Sequence, residues 1–81
     1  MNPQEIAQLI RAGLPGAEAI VKSDDNVHFE AVVISSEFAG KRPVQRHQLV
    51  YRTLGEKMGN EIHALALQVF TPDEAAQQTN A

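Results

Sequence analysis

Cysteine is absent from the 81 residues. That excludes a disulfide framework, a reactive thiol and a self-contained Cys-ligated zinc or iron–sulfur site. A metal would have to bind through histidine, carboxylates or the ligands of a partner. Long apolar runs are missing as well. The longest, Ala31 to Ile34, is far too short to cross a bilayer. The opening stretch MNPQEIAQLI has no basic region and carries Glu5 early, so no secretory leader is expected and a cytoplasmic protein is. Aromatics are few, three Phe and one Tyr, which leaves little for stacking nucleic-acid bases. There is no nucleophile elbow, P-loop, dinucleotide fingerprint or HExxH. Asp24 and Asp25 are adjacent, a poor arrangement for an acid–base pair and a good one for a turn. An enzyme is therefore not expected.

What is present suits one small domain spanning 1–81. A chain of this length buries only about 60% of its unfolded surface, so its core is one thin layer without a large enclosed pocket. The net charge of −3 is unevenly spread. Lys41, Arg42, Arg46, Arg52 and Lys57 are five of the seven basic residues, and only Glu56 opposes them between 41 and 57. The pattern predicts one cationic surface on an otherwise acidic protein.

Asn2 as cap, Pro3 in the first turn and Glu5 as capping-box acid announce a helix. Ile6, Leu9, Ile10 and Leu14 give it an apolar face, and Gly13 to Gly16 end it. Ala17 to Lys22 and Val27 to Ser35 read as strands of an antiparallel hairpin across the turn Ser23-Asp24-Asp25-Asn26. In the second strand Phe29, Ala31 and Val33 share one face with Val27. The other face, His28, Glu30, Val32 and Ile34, turns apolar along its length and should be partly covered. Pro43 starts a long helix predicted to end near Met58, with Val44, His47, Val50, Tyr51, Leu54 and Met58 on one stripe. Gly55, inside it, marks a close contact or a break into two pieces. Ile62 to Phe70 is a third strand, Thr71-Pro72-Asp73-Glu74 starts a last helix, and fraying is expected from about 77. The order α-β-β-α-β-α predicts an α+β domain: a three-stranded mixed sheet with helices packed on one side. The third strand should run parallel to the second through a βαβ crossover. Phe29 and Tyr51 are expected in its core.

Three histidines and one basic run are the candidates for chemistry. His63 is in phase with Leu65, Leu67 and Val69 at the end of that apolar row. It is either a sheet-edge histidine satisfied by a backbone carbonyl or a rim imidazole with one nitrogen free for metal. His28 opens the second strand, and parallel pairing would bring it to the same sheet edge as His63. His47 reads as a packing or surface residue of the long helix. With Lys41, Arg42 and Arg46 it belongs to a solvated face or to a surface for nucleic acid or a partner.

Two stretches resemble the signatures of the BolA family. EFAGKRPVQRHQLVY, positions 37–51, has the family's Phe, Gly-Lys, short spacer, Arg-His and Leu-Val. IHALALQVFTPDE, positions 62–74, has its Ile-His-Ala-Leu, strand and Thr-Pro-x-Glu, and HFEAVVIS, positions 28–35, also fits. The short turn in SDDNVHFE makes the IbaG (YrbA) branch the nearer likeness. The resemblance implies a class II KH-like fold. It implies a monothiol glutaredoxin as partner and a [2Fe-2S] cluster shared with it, in iron–sulfur trafficking or iron and stress regulation. The family's histidine ligand maps onto His63. For its second ligand, a Cys or His in the hairpin loop, His28 is the residue this chain offers. Imidazole can replace thiolate on one iron, so a chain without cysteine can complete a cluster that it cannot hold alone. Alone it would be a monomer or weak homodimer. The alternative is a KH-like DNA-binding regulator using the basic segment 41–57, although Gly40-Lys41-Arg42-Pro43 lacks the second glycine of a GXXG loop.

Overall fold

The first helix, α1 (Pro3–Gly13), begins with a reciprocal cap. The Glu5 amide donates to Asn2 Oδ1 at 2.9 Å, and the Asn2 amide donates to the Glu5 carboxylate at 3.1 Å. The computed structural model describes residues 1–62 and 64–79. Among these the elements after α1 are β1 (Glu18–Lys22), β2 (His28–Ile34), α2 (Pro43–Leu54), β3 (Ala64–Phe70) and α3 (Pro72–Thr79). One-turn 3-10 helices cover Ser36–Phe38 and Gly55–Lys57. The sheet order is β1-β2-β3, with β1 antiparallel and β3 parallel to β2. This is the predicted α+β architecture.

The period-2 pattern of β2 sends Phe29, Ala31 and Val33 into the core. Leu65, Leu67 and Val69 of β3 and Ala19 and Val21 of β1 join them from either side. On this layer sit Ile6 and Ile10 of α1 and Val50 and Leu54 of α2, closing a single core. The opposite face is polar at His28 and Glu30 and half-buried at Val32 and Ile34, as the drift in hydropathy along β2 required. Met58 and Ile62 form an isolated bridge ahead of β3, so Ile62 is fully buried yet outside the strand. Helix α3 closes the described chain at Thr79.

Two glycines do different work. Gly55 has φ 55°, ψ −131°, and a Cβ there would meet nothing within 4 Å. It breaks the helix, so α2 ends at Leu54 and not near Met58. The close contact is at Gly13, where a Cβ would lie 2.5 Å from Thr53 Cγ2. Only a hydrogen there lets α1 and α2 approach.

The stripe on α2 is narrower than expected. Val44 is 62% exposed and Tyr51 37%, so Tyr51 is not a core residue. In a helix of 3.6 residues per turn, Tyr51 is rotated by about 100° from Val50, which points into the core. The aromatic that joins Phe29 in the core is Phe38, fully buried from the 3-10 turn that Ser35 caps.

Candidate functional site

The β1–β2 turn is built by its own polar side chains. Ser23 Oγ donates to the His28 carbonyl at 2.6 Å and accepts from the Asn26 amide at 2.9 Å. Asn26 takes the left-handed conformation, φ 58°, which Asn tolerates well. Asp25 Oδ1 accepts the amides of Val27 and His28, both at 2.9 Å. Its other oxygen, Oδ2, lies 2.9 Å from His28 Nδ1. These contacts, His28's side chain first and then the two amides, hold the Asp25 carboxyl far below the usual carboxylate range. The imidazole side chain is 71% exposed, so the pair is open to solvent.

Beside the turn, an open cleft of about 340 Å³ runs between the first residues of β2 and β3, lined among others by Lys22, Asp25, His28, Glu30, Ala64 and Ala66. In the parallel register His28 is opposite Ala64 and Glu30 opposite Ala66. Small side chains on β3 thus leave the space that the polar side chains of β2 border. His63, the first choice for a ligand, lies outside the described residues. Its neighbours in sequence are the buried Ile62 and the cleft-lining Ala64. Among the described residues no group of three His, Cys, Asp or Glu is arranged to hold a metal ion. Of the described histidines, His28 is the one that lines the cleft, and imidazole is a donor type that suits a metal ligand.

The basic segment is less free than its sequence suggests. Arg46 donates through Nη1 and Nη2 to Glu74 at 2.6 and 3.2 Å and through Nε to the Lys41 carbonyl at 3.0 Å. Its guanidinium lies 6.0 Å from the centre of the Phe38 ring, and its side chain is 13% exposed. Glu74 also closes the cap of α3, accepting the Thr71 amide at 3.0 Å. Arg46 first, and the Thr71 amide after it, draw Glu74 down to about 2. Through this pair Arg46 ties α3 to α2. Lys57 pairs with Glu61 at 3.3 Å. Lys41 Nζ donates to the Glu37 carbonyl at 2.9 Å and stays exposed, as do Arg42 and Arg52. His47 is half-buried and packs edge-on against Tyr51, 6.2 Å between ring centres, and does not line the cleft.

Sequence reasoning missed Asp25 and Glu74 as partners. Asp25 was legible in principle, three residues before a histidine in a turn rich in side-chain acceptors. Glu74 was identified as a cap only, because nothing local announces a partner 28 residues away.

Comparison with known proteins adds identity to this geometry. The family model described as BolA-like protein matches residues 12–74. The DNA-binding transcriptional regulator BolA of Haemophilus influenzae is 51% identical over 47 residues, 58% of this chain and 46% of that one. BolA-like protein 1 of Homo sapiens is 46% identical over 52 residues, 64% of this chain and 38% of that one. The matched stretches thus span less than half the length of either curated relative. A solved BolA homologue from Coxiella burnetii superposes with a TM-score of 0.84 at 42% identity, covering 94% of this chain and 97% of that one. No described helix is long and apolar enough to cross a membrane. On the matching family model and the shared fold together, the chain belongs to the BolA-like family.

Proposed function

We propose that this IbaG-type member is a non-catalytic cytoplasmic adaptor that donates imidazole to a [2Fe-2S] cluster held chiefly by a monothiol glutaredoxin. The observation that carries the reading is an exposed His28 lining the cleft, with Nδ1 engaged by Asp25 and Nε2 not part of that contact. His63 is the other ligand of the proposal, one residue before the β3 position that pairs with His28. The absence of cysteine is consistent with it, since the sulfur must come from elsewhere. The cluster is cargo, and what this chain supplies is nitrogen donors and a face on which the partner can dock. A ligating imidazole must be unprotonated at that nitrogen, so complex formation should weaken as pH falls below the ordinary imidazole value of about 6.5.

The test is a titration of cluster-loaded monothiol glutaredoxin with the protein, followed by visible absorption and circular dichroism. A change in the cluster bands is expected, lost in His63→Ala and reduced in His28→Ala. Bands identical to those of the glutaredoxin alone would overturn the reading. Binding that is equally tight with the apo partner would leave a docking role without the metal.

A second reading, DNA binding, is favoured by the name of the Haemophilus influenzae relative. With Arg46 spent on Glu74, it would rest on the exposed Lys41, Arg42 and Arg52. Its test is the salt dependence of binding to a labelled duplex. Removing one phosphate-binding cation should lower the log–log slope by about 0.9. Arg42→Ala should change that slope and Arg46→Ala should not.

A further inference from the structure

We propose that Asp25 is a positioning residue: its carboxylate holds the His28 imidazole in the tautomer protonated at Nδ1, so that Nε2 is left as the bare donor nitrogen of an exposed ring that lines the cleft. The inference rests on the reading of His28 as a ligand and deepens it by naming the ligating atom and what selects it.

A neutral imidazole carries one proton, and the nitrogen without it is the one that can bind metal. In free histidine the Nε2–H form predominates, which would leave Nε2 already capped by hydrogen. Asp25 reverses that choice. An ionised carboxylate accepts and cannot donate, so Oδ2, at 2.9 Å, requires the proton on Nδ1. The carboxylate is not free to swing away. Its Oδ1 is held by the amides of Val27 and His28, which leaves Oδ2 aimed at the ring. The backbone of His28 is held in turn by Ser23 Oγ on its carbonyl. Carboxylates that orient metal-bound histidines in this way typically contribute about 10–100-fold to metal affinity.

The turn also offers a clean substitution. In Asp25→Asn the amide oxygen can still accept from Val27 and His28, so the turn keeps both of its bonds. The NH2 group replaces Oδ2 and can only donate to Nδ1, which drives the ring proton to Nε2. A purely structural role for Asp25 would be preserved by this change, and a positioning role would be inverted.

The experiment has two parts, both at about pH 8, where an ordinary imidazole with pKa about 6.5 is neutral. Long-range proton–nitrogen NMR of the isolated protein reads the His28 tautomer, with the backbone amide spectrum as a check that the fold is intact. Wild type should show Nδ1 protonated and Nε2 bare, and Asp25→Asn the reverse. The same proteins and His28→Ala are then titrated into cluster-loaded monothiol glutaredoxin. Asp25→Asn should raise the concentration for half-maximal spectral change by about 10–100-fold. A wild-type ring protonated at Nε2, an unchanged tautomer in Asp25→Asn, or an inverted tautomer with unchanged titration would each overturn the positioning role. If His28→Ala titrates like wild type, the ligand reading itself fails and the positioning role goes with it. If His28→Ala is impaired and Asp25→Asn is not, only the positioning role is lost.

Discussion

Two carboxylate pairs stand in different parts of the molecule, and they have opposite effects on the side chains they hold. At the helical side, Glu74 takes both terminal nitrogens of Arg46, a third donor goes to the Lys41 carbonyl, and the side chain lies against Phe38 at 13% exposure. Three of the five guanidinium N–H donors are thereby spent inside the fold. At the hairpin turn, Asp25 takes one nitrogen of His28 and leaves the ring 71% exposed. The first pair ties α3 to α2, and on the proposed reading the second keeps a donor accessible. Sequence alone left the basic segment as either a solvated face or a binding surface and the adjacent acids as a turn. Burial and the number of donors consumed decide which group can meet a partner.

If the helical side is where stability resides, truncating the floor under Arg46 should have the largest effect. Phe38→Ala removes a fully buried ring and should destabilise the protein by about 3–5 kcal/mol in chemical denaturation. A much smaller loss would mean that the clamp does not depend on its packing. Gly13→Ala comes next. The new methyl would meet Thr53 Cγ2 and Cβ at 2.5 and 2.8 Å, and the Thr53 hydroxyl is held 2.6 Å from the Val50 carbonyl, which resists rotation. A cost of about 1–3 kcal/mol is expected, against the usual gain from replacing Gly in a helix.

The clamp itself is read through pH. Glu74 is drawn from 4.5 down to about 2 in the folded protein, first by Arg46 and then by the Thr71 amide. Its folded value lies below its unfolded one, so its contribution is complete above about 4.5 and is lost as pH falls from there toward 2. Glu74→Gln should be less stable than wild type at neutral pH. The two should converge in this acid window when denaturation midpoints are compared. Parallel curves would show that the pair adds nothing beyond the α3 cap.

The element order, the sheet pairing and both acid caps were legible because they rest on local signals. Asn2-Pro3-x-Glu5 and Thr71-Pro72-x-Glu74 need only their own backbones, and the β2 alternation needs only period 2. The limits of α2 were half-legible: Gly55 was marked, but whether it served space or conformation depends on neighbours that no local pattern names. Phe38 was illegible as core because it sits in a polar, non-periodic stretch and is buried only once the 3-10 turn folds it under α2. Arg46–Glu74 was illegible for the same reason at longer range. At the candidate site, the meeting of β2 and β3 followed from parallel pairing, and the Ala64–Ala66 gap could be seen only with the register in hand. The Asp25–His28 bond lay between the two cases, close in sequence but dependent on the angle of the turn.

The smallest expected effect on stability is the one that separates the two regions most sharply. His28→Ala removes an exposed ring and one partner of Asp25, whose carboxylate keeps both turn amides. Exposed pairs of this kind contribute little to folding. The denaturation midpoint should therefore stay where it is in wild type, while the response of the cluster bands to the protein is reduced. Glu74→Gln should show the converse, a lower midpoint with the cluster response intact, because its carboxylate lies outside the cleft lining. A His28→Ala protein that loses stability in step with its cluster response would mean that the imidazole is itself a brace of the turn. The division between a closing pair and a presenting pair would then disappear.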